Sequence, residues 1–197
     1  MKQIVRNTLI LLAITLLAGL VLACVRDITK EPIAAAQEKA KQEAYQTVFG
    51  DAESYRECET DISSFEPADG VTVDEVREAA GADGELLGWV MTLTTPKGYG
   101  GDVRIVIGVT QKGTLTGMTV IEMSETPGLG AKCTGSDFQS QFSDITARSI
   151  SFVKRGKAAD DQVDAISGAT YTTSAIVQAV NVGLSLAHDC LMTGGAA

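Results

Sequence analysis

The chain opens on an unbroken apolar run. Residues 7–25 carry no charge, and most of those positions are Leu, Ile, Val or Ala. In a helix the run rises roughly 28 Å, about the hydrocarbon thickness of a bilayer. Lys2 and Arg6 precede it, and Arg26 and Lys30 follow it. The length predicts a retained single-pass anchor over residues 1–30. Two other readings stay open. A cleaved signal peptide usually has a shorter apolar core. The stretch Val21-Leu22-Ala23-Cys24 loosely resembles a lipoprotein processing site, although Leu22 is bulky for one. Basic residues flank both ends of the run. With the amino group, Lys2 and Arg6 in the cytoplasm, the remainder lies on the extracytoplasmic side of the cell membrane.

After the run the pattern turns helical, then irregular. Pro32 suits the first turn of a helix, Ala36, Ala40, Ala44 and Val48 follow at four-residue spacing, and Gly50 suits a stop. Residues 51–85 are acidic and contain glycine, with Val71-Thr72-Val73 a short strand candidate. Residues 31–85 therefore read as a helical and irregular lead-in, and residues 86–197 as the core of the domain.

In that core the period becomes two. Trp89-Val90-Met91-Thr92-Leu93-Thr94 is a strand candidate, closed by Pro96-Lys97-Gly98. Apolar residues alternate at 103, 105, 107 and 109. Lys112-Gly113 makes a turn and residues 115–123 return, which predicts an antiparallel hairpin. A helix near 137–142 and a strand near 149–153 follow. From 173 to 191 Ile176, Val180, Leu184 and Ala187 fall on one helical face. The fold class is α+β: one domain with an antiparallel sheet and flanking helices, behind one transmembrane helix.

Composition narrows the chemistry. The formal charge is −9, and one acid and four bases lie before residue 31, so residues 31–197 carry −12. Nucleic acid is not an expected partner, because phosphate backbones are held by clustered Lys and Arg. An acidic body also gains nothing from anionic lipid, so the apolar run must supply any membrane attachment. Cys24, Cys58, Cys133 and Cys190 form no C-x-x-C pair and no metal spacing, and a disulfide among the last three stays open. No metal site is expected. His188 is the one histidine and falls in the terminal helix, where it reads as a surface or helix-end residue.

Two segments carry candidate chemistry. In Asp164-Ala165-Ile166-Ser167-Gly168-Ala169-Thr170-Tyr171-Thr172-Thr173-Ser174 a hydroxyl-rich loop runs straight into an apolar helix. A helix start presents unpaired N–H groups and positive potential, which favours a phosphate. Plain capping by Thr172, Thr173 or Ser174 explains the same residues. In Glu122-Met123-Ser124-Glu125-Thr126-Pro127-Gly128-Leu129-Gly130, Pro127-Gly128 suits a tight turn. Its Gly-x-Gly lacks the third glycine of a dinucleotide loop.

Taken together, Asp-x-x-Ser-Gly-Ala-Thr at 164–170 and Glu-Thr-Pro-Gly-Leu-Gly at 125–130 resemble the two loops of the FMN-binding domain family. The resemblance implies that FMN is bound covalently, its phosphate esterified to the hydroxyl of Thr170 by a dedicated flavin transferase. Ser167, Gly168 and Ala169 then shape the loop the transferase reads, and Asp164 is the acid of the motif. Thr172 and Thr173 are neighbouring alternative acceptors. By the same likeness Thr126 and nearby backbone N–H groups meet the flavin's polar edge, Leu129 covers a face, and Glu125, Pro127, Gly128 and Gly130 complete the cofactor-binding loop. Within the family the chain is similar to the G subunits of Rnf-type ion-translocating electron transport complexes, and more distantly to the C subunits of sodium-translocating NADH:quinone reductases. That implies an electron carrier among other membrane subunits, not an enzyme turning over alone. A stand-alone membrane-anchored flavoprotein outside the cytoplasm is the alternative. Trp89 reads as a core residue. Tyr99, in Gly98-Tyr99-Gly100-Gly101, reads equally as a flavin neighbour or a turn residue. Glu122 and Glu125 read as solvated rather than as an acid/base pair.

Overall fold

A computed structural model describes residues 1–193 of the chain. Its contacts divide it into two compact units, Met1–Ala40 and Lys41–Ala197. Helix α1 spans Lys2–Val48. In the first unit it holds the apolar run, whose side chains are all exposed. Among the described residues this is the one helix long and apolar enough to cross a membrane. The hydroxyls of Thr8 and Thr15 donate to the carbonyls of Ile4 and Leu11, at 3.0 and 3.1 Å, so neither is left bare in an apolar setting. Pro32, expected to open a helix, instead lies inside one. Its missing N–H removes a single bond from the ladder, and the helix continues past it.

The second unit is built on a six-stranded sheet. Strands β1 (Ser54–Glu57), β2 (Thr72–Ala80), β3 (Leu86–Thr95), β4 (Val103–Thr110), β5 (Thr114–Met123) and β6 (Ile145–Thr146) lie in chain order, each antiparallel to its neighbour. The segment expected as a helical and irregular lead-in thus supplies two strands of the main sheet. The β4–β5 hairpin forms where the alternation placed it, turning through Gly113 at φ +79°. Helix α2 (Ser136–Gln139) and a short 3-10 turn (Ser140–Phe142) fill the place of the expected helix near 137–142. Strands β7 (Ser151–Val153) and β8 (Gln162–Asp164) form a separate two-stranded parallel sheet. Helix α3 spans Thr170–Leu186 and passes into a π-turn at Ala187–Leu191.

Alternation decides what each face of the sheet meets. Met91, Leu93, Val103, Ile105, Ile107 and Val109 share one core cluster with Ile176, Val180 and Leu184 of α3. A Cβ at Gly183 would sit 2.9 Å from Leu93 Cδ1, so the missing side chain lets α3 press close to the sheet. Val90 and Val106 point the other way, into a cluster with Ala44, Tyr45, Val48 and Phe49 from the end of α1. A Cβ at Gly108 would come within 2.8 Å of the Val48 carbonyl, and one at Gly117 within 3.4 Å of Val48 Cα, so bare backbone makes the trough that receives this turn. Around it, Glu75 accepts from Lys41 Nζ at 2.7 Å, Arg77 Nε at 2.5 Å and the Tyr45 hydroxyl at 3.1 Å.

The small parallel sheet is held by amide side chains that act as strand edges. Asn181 on α3 accepts from Ile150 N at 2.7 Å and donates to Ile150 O at 2.9 Å. Gln141 accepts from Asp164 N at 2.6 Å. All four cysteines are free thiols, with Cys133 buried, Cys58 and Cys190 half-buried and Cys24 exposed.

Candidate functional site

Three loops meet at the start of α3. The Gly98–Gly101 turn lies between β3 and β4, the Glu125–Gly130 segment follows β5, and the 165–169 loop leads from β8 into the helix. Their residues line one cavity of about 250 Å³, formed by Tyr99, Glu125, Thr126, Leu129, Gly130 and the stretch 168–172. Two motifs some 40 residues apart in the chain are therefore one site in space.

Local chemistry explains how each loop is set. Thr126-Pro127-Gly128-Leu129 closes a turn through Leu129 N and Thr126 O at 3.1 Å, with Gly128 at φ +78°. Glu125 is buried beneath that turn, and its Oε1 accepts from Tyr99 N at 2.8 Å and Gly100 N at 3.5 Å. A Cβ at Gly100 would lie 2.8 Å from the Ser124 carbonyl carbon, so glycine is what permits the contact. Gly168 takes φ +79°, which reverses the chain just before α3.

The helix starts earlier than the apolar period indicated, at Thr170 rather than near Thr173. The expected hydroxyl cap is absent as well: Ala169 occupies the cap position and makes no side-chain bond to the helix. Thr173 is tied differently. Its hydroxyl donates to Ala169 O at 3.0 Å and accepts from Ile166 N at 3.1 Å. The Thr173 N–H bonds Ala169 O at 3.0 Å, which leaves the N–H groups of the three residues before it at the positive end of the helix.

The three threonines of the motif are not equivalent. Thr170 is exposed at the cavity, whereas Thr172 and Thr173 are buried. Thr172 Oγ1 has no hydrogen-bond partner, although a Cβ placed on Gly130 would lie 2.7 Å from it and would also overlap the Glu125 carboxylate. A buried donor without a partner, a carboxylate and a bare glycine backbone thus converge on the floor of the cavity. These features fit a flat heterocycle bearing both donors and acceptors at its edge, and the helix start fits its phosphate.

Not every motif residue joins this cavity. Asp164 and Ser167 line a neighbouring one of about 420 Å³ with Lys132, Asp137 and Gln141. Asp164 Oδ1 accepts from Lys157 N at 3.1 Å. Tyr99 is exposed at the cavity, its ring centroid 6.4 Å from that of Tyr171. Tyr171 sits inside the motif, yet the pattern gave it no role. The only signal available was an aromatic next to Thr170. Trp89 is a core residue, and Glu122 pairs with Arg104 at 2.9 Å on the surface. The thiol of Cys133, close behind the loop, is pushed up to about 11 by burial and by the charge of Glu125.

Comparison with known proteins places the chain among relatives. The FMN-binding domain model matches residues 98–185, and a model of the RnfG N-terminal region matches residues 1–48. The G subunit of the ion-translocating oxidoreductase complex of Methanosarcina acetivorans is 31% identical over 91% of this chain and 92% of its own. The G subunit of the Na(+)-translocating ferredoxin:NAD(+) oxidoreductase complex of Acetobacterium woodii is 34% identical over 53% of this chain and 51% of its own. The C subunit of the Na(+)-translocating NADH-quinone reductase of Parabacteroides distasonis superposes with a TM-score of 0.46 at 27% identity, over 57% of this chain and 58% of that one. From the near full-length match to the Methanosarcina protein, this chain belongs to the family of G subunits of ion-translocating oxidoreductase complexes, and its cavity lies within an FMN-binding domain.

Proposed function

We propose that the chain is the covalent-FMN electron carrier of an Rnf-type membrane complex, tethered through a phosphoester on Thr170. The observation that carries the attachment site is exposure. Of the threonines at 170, 172 and 173, only Thr170 offers its hydroxyl to an outside catalyst. A threonine hydroxyl is a poor nucleophile, so a flavin transferase supplies the activation. When bound, FMN contributes one-electron redox chemistry, and the protein sets its position and electrostatics.

The residues then take definite roles. The start of α3 faces the phosphate with N–H groups, Leu129 covers one side of the cavity, and Tyr99 and Tyr171 stand at its mouth. Thr126 and Thr172 offer hydroxyls, and Glu125 holds the glycine turn and places a negative charge below. A cavity near the small end of ligand clefts leaves part of the tethered group at the surface, where a redox partner can approach. The helix before residue 41 anchors the domain in the cell membrane, on the extracytoplasmic side, among the other subunits that couple ferredoxin and NAD(+) to ion movement.

The test uses protein from its native host. Wild type gives a fluorescent band on a denaturing gel and an intact mass raised by one FMN phosphoester. Thr170→Val loses both, whereas Thr172→Val and Thr173→Val keep them. Flavin retained by Thr170→Val alone would refute the site.

A further inference from the structure

The acidic domain holds one concentrated patch of opposite sign. Lys154, Arg155 and Lys157 fall within four residues, with Arg148 just before them, and no acid lies between Asp144 and Asp160. Residues 154–157 are all exposed. None of the three cations has a charged partner among the described ion pairs. Residues 31–197 carry −12 in total, so this segment stands against the field of its own domain.

Topology puts the patch beside the attachment loop. Strands β7 and β8 are parallel, with Val153 opposite Asp164. Parallel neighbours leave their sheet at the same end. Lys154-Arg155-Gly156-Lys157 follows β7 there, and Ala165 to Thr170 follow β8. Two bonds fix the pair: Ala165 N donates to Val153 O at 2.8 Å, and Lys157 N donates to Asp164 Oδ1 at 3.1 Å. The carboxylate of the motif's acid therefore clasps the cationic segment to the strand that presents the acceptor threonine.

We infer that residues 154–157 form the docking surface for an acidic face of the flavin-attaching enzyme, with Asp164 as the positioning residue that holds it in place. This rests on the reading of Thr170 as the attachment site. In the reaction served, Thr170 Oγ forms a bond to the flavin's phosphorus and gives its proton to a base on the enzyme. The anhydride P–O bond of a flavin dinucleotide donor breaks, and the second phosphate leaves with its nucleoside, without oxidation or reduction. With residues 31–197 at net −12, an acidic face is repelled elsewhere on the chain, so a local cationic strip selects the approach that places the loop at the catalyst.

The test measures the rate of flavin attachment to the full chain in detergent, with purified transferase and a flavin dinucleotide as donor. The variants are K154E/R155E/K157E and K154Q/R155Q/K157Q. At low salt the charge reversal raises the KM for the chain roughly tenfold or more, the neutral variant raises it less, and kcat and the KM for the dinucleotide hold. Added salt raises the wild-type KM toward that of the variants. Asp164→Asn, which can still accept from Lys157 N, docks better than Asp164→Ala. Unchanged unfolding curves for the surface variants exclude misfolding. An unchanged KM for the chain overturns the inference while leaving the attachment site standing, and so does a rise confined to the dinucleotide, which would mean direct phosphate binding. A wild type that takes no flavin overturns both.

Discussion

Leu129 lies against Gly168: a Cβ built on that glycine would sit 3.1 Å from Leu129 Cδ2. The contact joins the turn after β5 to the loop before α3, so the two motif segments close one cavity instead of decorating separate ends of the sheet. Gly168 is needed twice, for this approach and for its φ of +79°.

Gly168→Ala therefore strains the backbone and crowds Leu129. The left-handed conformation alone costs about 1–2 kcal/mol for a residue with a Cβ. Chemical denaturation of the flavin-free protein reads that loss. Flavin occupancy is expected to fall as well, because Thr170, the proposed acceptor, is two residues away. Gly128→Ala, also at positive φ but with nothing within 4 Å of its Cβ, suffers only the backbone term.

Much of this was legible in the chain, for reasons that differ by element. The β4–β5 hairpin announced itself because Val103, Ile105, Ile107 and Val109 face α3 while Gly113 supplies the turn. Helix α3 did so because Ile176, Val180 and Leu184 share a face. Strand β1 is polar and mostly exposed, and β6 and β8 have two and three residues, so none could show a period. The start of α3 was misplaced because Thr170, Tyr171 and Thr172 look like loop residues until the Thr173 N–H is seen to bond Ala169 O, with no side-chain cap at Ala169. Pairings such as Asp164 with Lys157, or Gln141 with Asp164, are tertiary and leave no mark in sequence.

Thr172 provides the second prediction. Its hydroxyl is buried and without a partner, an arrangement that costs about 1–3 kcal/mol. Thr172→Val keeps the shape and removes the donor. The flavin-free variant is expected to be about 1 kcal/mol more stable than wild type by denaturation. With Thr170 as the proposed attachment site, the variant is expected to keep its flavin, whose absorption spectrum shifts with the loss of a hydroxyl from the cavity. A variant less stable than wild type would show that the hydroxyl serves the protein itself.

Glu75 sets the acid side of stability. Burial acts to raise its pKa, but the hydrogen bonds from Lys41, Arg77 and Tyr45 outweigh it and hold the carboxyl below its ordinary value. A depressed carboxyl contributes stability above the unfolded value, near 4.5, that is lost as pH falls through the folded one. Glu75→Gln should cost about 2 kcal/mol at neutral pH, by leaving Lys41 and Arg77 with a weaker acceptor. The gap from wild type narrows as the pH is lowered past 4.5. Urea titrations of both proteins at pH 7 and pH 3 check it.

Cys133 sets the alkaline side. Burial first, then the charge of Glu125, pushes its thiol up to about 11 from an ordinary 9.0. Between those values the unfolded chain gives up this proton while the folded chain keeps it. The unfolded state then binds fewer protons, so stability falls as pH rises across the window. Tyr45 and Tyr55, also raised mainly by burial, push the same way at higher pH. Cys133→Ala leaves a small cavity and costs stability at pH 8, but it removes one source of the alkaline slope. The difference between wild type and Cys133→Ala should therefore shrink from pH 9 to pH 11. The thiol form also resists alkylation in the folded protein at pH 8, since the thiolate is the nucleophile. Mass spectrometry after iodoacetamide should find Cys133 unmodified until the chain is unfolded. Glu125→Gln removes one of the two causes, so it brings the window down toward 9 and ties the buried thiol to the carboxylate at the candidate site.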